Sequence, residues 1–262
     1  MSTVQLTMRR LLAPAVGLLA AVLLWWAAVR LLPMPEQFAN GFSPSSSWSA
    51  LREMVSSGDL TRHLLPSLRR IAIGLMIAFA IGVPAGVTVG YFAVARHLTN
   101  TTFQFLRMIS PLAWMPIAII MFGVGDRPVY FLISMAAIWP ILINTSQGVR
   151  GVEPGWIKVV RTLGGGQAQI LRRAIIPAVI PDIITGVRIS MGLAWVILVP
   201  AEMLGVSSGL GYFILDARDR FAYGELMACI LVIGFVGLCL DQLLAHLETR
   251  LSWKADLRGT DG

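Results

Sequence analysis

Charge is what this sequence has least of. Only 13% of its 262 residues are Asp, Glu, Lys or Arg, where a soluble domain carries about 25%. With 56% hydrophobic residues, that shortfall excludes an ordinary soluble domain and places most of the chain in lipid. Acidic residues are the scarcer sign, 14 against 21 basic, for a net charge of +7. No basic patch with interleaved aromatics accompanies the excess, so nucleic acid is not an expected partner. Basic residues flanking membrane spans explain it. Cysteine is nearly absent. Cys229 and Cys239 share one apolar stretch, about 15 Å apart along a helix, too far for a disulfide. The three histidines, His63, His97 and His246, are scattered, which argues against a metal centre. There is no G-x-x-x-x-G-K-[ST] nucleotide loop. The chain is therefore expected to hold no cofactor and to hydrolyse no ATP by itself.

What is present is a series of long apolar runs. The length allows six spans of about 20 residues each. They are expected at residues 11–32, 67–91, 102–122, 129–143, 183–204 and 224–247, in one membrane domain over 11–247. The first run follows Arg9 and Arg10 and carries Trp25-Trp26 where a cleavable signal would need small residues, so it reads as a retained span. Residues 33–66 are polar and rich in Ser and Pro, with a short amphipathic surface helix expected over 48–60. The second run has Gly82, Gly86 and Gly90 at every fourth position, a spacing that lets another helix approach closely. Pro84 is expected to kink it. Residues 96–100 read as a polar connection, and Pro111 and Pro116 as an irregular start to the third span.

Six spans put both termini, residues 1–10 and 248–262, on one side. The loop over 144–182 falls on that side and is rich in Arg and Lys, which makes the side cytoplasmic by the positive-inside rule. Within this loop, Trp156 to Pro177 reads W-I-K-V-V-R-T-L-G-G-G-Q-A-Q-I-L-R-R-A-I-I-P. The pattern predicts a helix, a break at Gly164-Gly165-Gly166, and a second helix ending at Pro177. A helical hairpin outside the membrane suits docking to a partner.

This stretch resembles the EAA loop of ABC importer permeases. That pattern runs Glu-Ala-Ala, three residues, Gly, nine residues, Ile-x-Leu-Pro. Gly164 and Pro177 stand at its spacing, and Lys158-Val159-Val160 replaces Glu-Ala-Ala. Ser110-Pro111 through Pro116, Asn144-Thr145, Gly148-Val149-Arg150, Gly186-Val187-Arg188, Ala201-Glu202-Met203 and Gly209-Leu210-Gly211-Tyr212 extend the likeness over about residues 60–250. They resemble the nitrate, sulfonate and taurine (bicarbonate) branch. The resemblance implies an all-α, polytopic, MetI-like type I fold in the bacterial inner membrane. It implies a homodimer, a separate ABC ATPase carrying ATP and Mg, and an extracytoplasmic solute-binding protein. It implies that the coupling loop, residues 152–177, meets the ATPase through Lys158, Arg161, Leu163, Gly164, Gly165, Gln167, Ile176 and Pro177. The implied solute is a small anion or zwitterion, an aliphatic sulfonate or taurine first, with nitrate, bicarbonate or another small organic solute as alternatives.

Five residues are candidates for the translocation pathway: Asn144, Thr145, Met191, Trp195 and Glu202. Glu202, an acid at membrane depth, faces either a cavity or a charged partner, with Arg127, Arg218 and Arg220 as the basic residues expected at that surface. Asp182 is a candidate cap for the fifth span, Arg188 is expected to snorkel from its inner end, and Asp241 to pair with a basic loop residue. A serine protease is the rival from another class, because residues 205–209 match G-x-S-x-G. It is disfavoured: Ser207 and His246 should lie at opposite ends of the sixth span, about 30 Å apart, and no strand is expected before the serine. A self-contained secondary transporter is disfavoured by the lack of an internal repeat.

Overall fold

The computed structural model describes residues 3–31 and 35–251. Residues 252–262 of the tail expected over 248–262, and Leu32 at the end of the first run, lie outside them. Every regular element among the described residues is helical. The chain divides into two compact units, 1–62 with 213–232, and 63–212 with 233–262.

The first unit holds α1 (Thr3–Leu31), α2 (Glu36–Gly41), α3 (Pro44–Ser57) and the greater part of α11 (Leu210–Asp219). The start of α12 (Tyr223–Leu251) also belongs to it. Ser43 caps α3 by accepting from the Ser46 amide, with Pro44 in the first turn, the sequence signature of a helix start. Phe38 and Phe42 close over Tyr223 at ring separations of 5.0 and 5.1 Å. The amphipathic helix expected from residue 48 thus begins at Pro44, because the serine cap sets its start.

The second unit carries the membrane core. Its helices are α4 (Asp59–Tyr91), α5 (Ala93–Met108), α6 (Met115–Phe122), α7 (Asp126–Arg150), α8 (Pro154–Thr162), α9 (Gln167–Ile170) and α10 (Ile176–Gly205). A 3-10 turn (Pro111–Trp114) precedes α6, and a π turn (Leu171–Ile175) joins α9 to α10. Among the described residues, four helices are long and apolar enough to cross a membrane: α4, α7, α12 and the 39-residue run Gln167–Gly205. The pair Ala93–Met108 and Pro111–Phe122 forms a fifth candidate, bent by 85°.

Helix α7 lies at the centre. On one side it meets α4 across the glycine stripe. A Cβ on Gly86 would stand 2.7 Å from the Leu142 carbonyl oxygen, and one on Gly90 2.7 Å from Val149 Cβ. Those glycines exist for backbone approach, as small residues do in membrane bundles. On its other side α7 packs along α10. Ser190 Oγ donates to the Ala137 carbonyl at 2.6 Å, and Gly186 leaves room for the Ile141 backbone. Leu132, Ile133, Ala194, Leu198 and Ala201 build the main core there, with Ile71 of α4 and Met115 of α6.

Proline misleads as punctuation in this chain. Pro66 and Pro84 lie inside α4, Pro140 inside α7, and Pro181 and Pro200 inside α10. Helix α4 runs through Pro84 without interruption and starts eight residues before the expected 67. Helix α10 does not stop at Pro177. The π turn immediately before that proline widens the helix where Pro would otherwise meet the carbonyl four residues back. Residues 96–100, read as a connection, belong to α5. Bundles tolerate such breaks because neighbouring groups re-satisfy the backbone.

Candidate functional site: a helical hairpin and a buried ionic knot

The hairpin begins at α8, with Glu153 before it and Pro154 in its first turn. Its end is a Schellman closure. Gly164 takes φ +78, its amide donates to the Arg161 carbonyl at 2.9 Å, and the Gly165 amide donates to the Val160 carbonyl at 2.9 Å. Only glycine enters that left-handed position without strain. Gly165 is also held tightly, since a Cβ there would lie 2.6 Å from Val160 Cγ1. The Gln169 side chain reaches back to accept from the Gly166 amide at 3.1 Å, starting α9.

Helix α8 is apolar on two faces. Ile157 and Val160 pack inward on Val149, Val152, Ile170, Ile175 and Val179. That cluster braces the hairpin against the end of α7 and the start of α10. Trp156, Val159 and Leu163 point outward, with Leu163 81% exposed. Their spacing of three and four residues makes one stripe on the helix surface. Lys158, Arg161 and Gln167 are exposed beside it, as are Ile176 and Pro177 at the start of α10. Tyr91, the last residue of α4, donates its hydroxyl to the Gln167 side chain. The turn thus touches α4 and, through the π turn, continues covalently into α10.

The second constellation lies in the same unit and was not legible in the sequence. Glu202 is 0% exposed and Arg70 1%. Arg70 Nη1 donates to Glu202 Oε1 at 2.6 Å and to the Ser208 carbonyl at 2.7 Å. Its Nη2 and Nε donate to Asp126 Oδ1 at 2.7 and 2.9 Å. Glu202 further accepts from Ser67 Oγ at 2.8 Å and from the Gly211 amide at 2.9 Å. Each nitrogen of the guanidinium and each oxygen of the carboxylate therefore has a partner, which a buried charge requires. Gly209 has φ +116, and a Cβ on it would overlap both the Glu202 carboxyl and the Arg70 guanidinium. The G-x-S-x-G stretch is thereby accounted for. It follows helix α10, and its last glycine closes the loop over the ionic knot.

Comparison with known proteins decides the family. The profile of the family described as "binding-protein-dependent transport system inner membrane component" matches residues 78–253. The bicarbonate transport system permease protein CmpB of Synechococcus elongatus is 34% identical over 91% of this chain and 88% of its own. This chain belongs to that permease family. A Bacillus subtilis protein named as an aliphatic sulfonates transport permease, SsuC, is 34% identical over 79% of the permease and 76% of its own length. Among solved structures, an inward-facing MetNI methionine ABC transporter superposes with TM-score 0.60 at 16% identity. It covers 74% of the permease and 96% of that chain. An amino acid ABC transporter solved with histidines gives 0.55 at 18% identity, over 76% and 98%. These likenesses show a MetI-like type I permease fold embedded in the membrane.

The structure separates the five pathway candidates of the permease. Thr145 is fully buried against Gly86, Met191 sits in the core between α7 and α10, and Glu202 is enclosed in the knot. All three side chains are enclosed within this chain. The partner of Glu202 is Arg70, not Arg127, Arg218 or Arg220. Arg220 instead holds Asp216 and Glu225 at 2.8 Å each. Trp195 is partly buried against Gly237 of α12. Asn144 lines a cavity of about 410 Å³ at the bend between α5 and α6, with Arg107, Trp139, Pro140 and Leu193. Asp182 does not cap a helix start, since α10 begins six residues earlier, and it packs against Gly148. Arg188 pairs with Asp241 at 3.2 Å and Glu248 at 2.9 Å, so Asp241 meets another helix rather than a loop.

Proposed function

We propose that this permease is the six-span membrane subunit of an ATP-driven importer for a small anionic or zwitterionic solute, with an aliphatic sulfonate or taurine first. The observation that carries the reading is the hairpin. It is braced on one face, bare and apolar on the other, and continuous with a long membrane helix. A separate ATPase seats the stripe of Trp156, Val159 and Leu163, with Lys158, Arg161 and Gln167 around it. ATP and Mg are held by that partner and none by this chain. Closure of the ATPase moves the hairpin, and the π turn passes the movement to α10 as a rigid body, which suits alternating access. Two copies form the pathway, a binding protein outside delivers the solute, and both termini face the cytoplasm of a bacterial cell.

Bicarbonate is the second reading, favoured by the longer match to CmpB. Uptake in proteoliposomes separates them. The full chain is reconstituted with its ATPase and binding protein, and labelled taurine, ethanesulfonate, nitrate and bicarbonate are offered. Uptake of one solute that requires ATP and both partners is the expected result. Uptake by this chain alone on an ion gradient would contradict the proposal.

A further inference from the structure

Helix α5 is built inside out. Val94, Leu98, Phe105 and Met108, at helical spacing, are strongly exposed. Arg96, Thr99, Asn100, Gln104 and Arg107 share the other face and turn toward α7. In lipid this is the expected arrangement for a helix whose polar side borders an aqueous or ionic space. Such a space is present. A cleft of about 220 Å³ lies between α5 and α7, open on one side. From α7 it receives Ser146, Gln147 and Arg150.

The charge of this cleft is one-sided. Arg96, Arg107 and Arg150 all border it, and no carboxylate does. None of the three guanidiniums forms an ion pair with a carboxylate among the described residues. The Arg150 Nε only touches the Ser146 carbonyl of its own helix, at 3.4 Å. Three uncompensated cations at the mouth of a membrane bundle repel one another and lower their energy by gathering an anion. The arginine fork donates two parallel hydrogen bonds to an oxyanion, and the amides of Asn100, Gln104 and Gln147 supply neutral donors. The volume is below the roughly 300–1,000 Å³ of sites for drug-sized ligands, which suits a small group.

We infer that the cleft between α5 and α7, bordered by Arg96, Arg107 and Arg150, is an oxyanion site that takes a sulfonate-, carbonate- or phosphate-type group. The charge and lining of the cleft carry this assignment whether or not the transport reading holds. The group has two sources, a soluble anion or the headgroup of an anionic phospholipid. Two binding measurements on the full chain distinguish them, and neither involves an ATPase. In nanodiscs of phosphatidylcholine alone, ethanesulfonate and bicarbonate are titrated by calorimetry at low fixed salt. In nanodiscs containing phosphatidylglycerol, lipid retained on the released protein is counted by native mass spectrometry. The triple variant Arg96→Gln/Arg107→Gln/Arg150→Gln should lose at least tenfold in affinity or retention in one of the two arms. Single Arg96→Gln and Arg107→Gln variants should each lose about threefold and carry the test if the triple variant does not fold. Loss in the first arm assigns a soluble anion, and loss in the second a lipid headgroup. Equal binding by wild type and variants within twofold in both arms, or no binding in either, would overturn the site.

Discussion

At the scale of single residues, Arg70 and Glu202 show how much a charge at membrane depth depends on its partner. Each is inaccessible, and each is satisfied by the other together with Ser67, Asp126, Ser208 and the Gly211 amide. A buried pair is weak evidence of net stability, but removing one member strands the other at a cost of about 3–5 kcal/mol. Arg70→Met should therefore lower the thermal midpoint in detergent sharply. The double change Arg70→Met/Glu202→Leu should recover much of the loss, because no charge is then left unpaired. A double variant as unstable as the sum of the single changes would contradict this account of the knot. The pairing was illegible in sequence for a simple reason. Arg70 and Glu202 are 132 residues apart, and nothing in local pattern joins them. The glycines around Glu202 were the available signal, since Gly209 and Gly211 both sit where a side chain would collide with it or its neighbours.

At the scale of elements, the seam between α4 and α7 was legible, and helix ends were not. A glycine every fourth residue states that a backbone comes close, and it does so at Gly82, Gly86 and Gly90. Gly86→Leu should force the seam apart, costing at least the roughly 1–3 kcal/mol of ordinary overpacking. Differential scanning of the purified protein would show a lower midpoint. The exposed Gly192, with nothing near its Cβ position, should accept Ala with little change. An equal effect at both positions would show that the seam is not tight. The hairpin turn was also legible, because three successive glycines at a helix end leave few alternatives. Helix boundaries failed where proline was read as a stop: Pro66 lies within α4 and Pro177 at the start of α10, both continuing helices. Membrane bundles re-satisfy the freed carbonyls, so the rule learned from soluble proteins loses force. The burial of Thr145, Met191 and Glu202 was illegible for a related reason. Periodicity shows that a residue shares a helix face, but not which neighbour fills the space in front of it.

At the scale of the whole molecule, the central claim is that α8, the Gly164 turn, the π turn and α10 form one mechanical path from a docking surface to the membrane core. The turn is its weakest point. Gly164 needs φ +78, which a β-branched residue resists, yet nothing lies within 4 Å of where its Cβ would be. Gly164→Val thus changes backbone geometry without a packing clash, and the membrane helices should assemble normally. The direct measurement is ATP hydrolysis and solute uptake in proteoliposomes, with the ATPase and binding protein present, for wild type and Gly164→Val. The account predicts that the variant inserts, keeps its thermal midpoint within a few degrees, and loses at least tenfold in uptake and in binding-protein-stimulated hydrolysis. Wild-type uptake by a properly inserted Gly164→Val chain would contradict it.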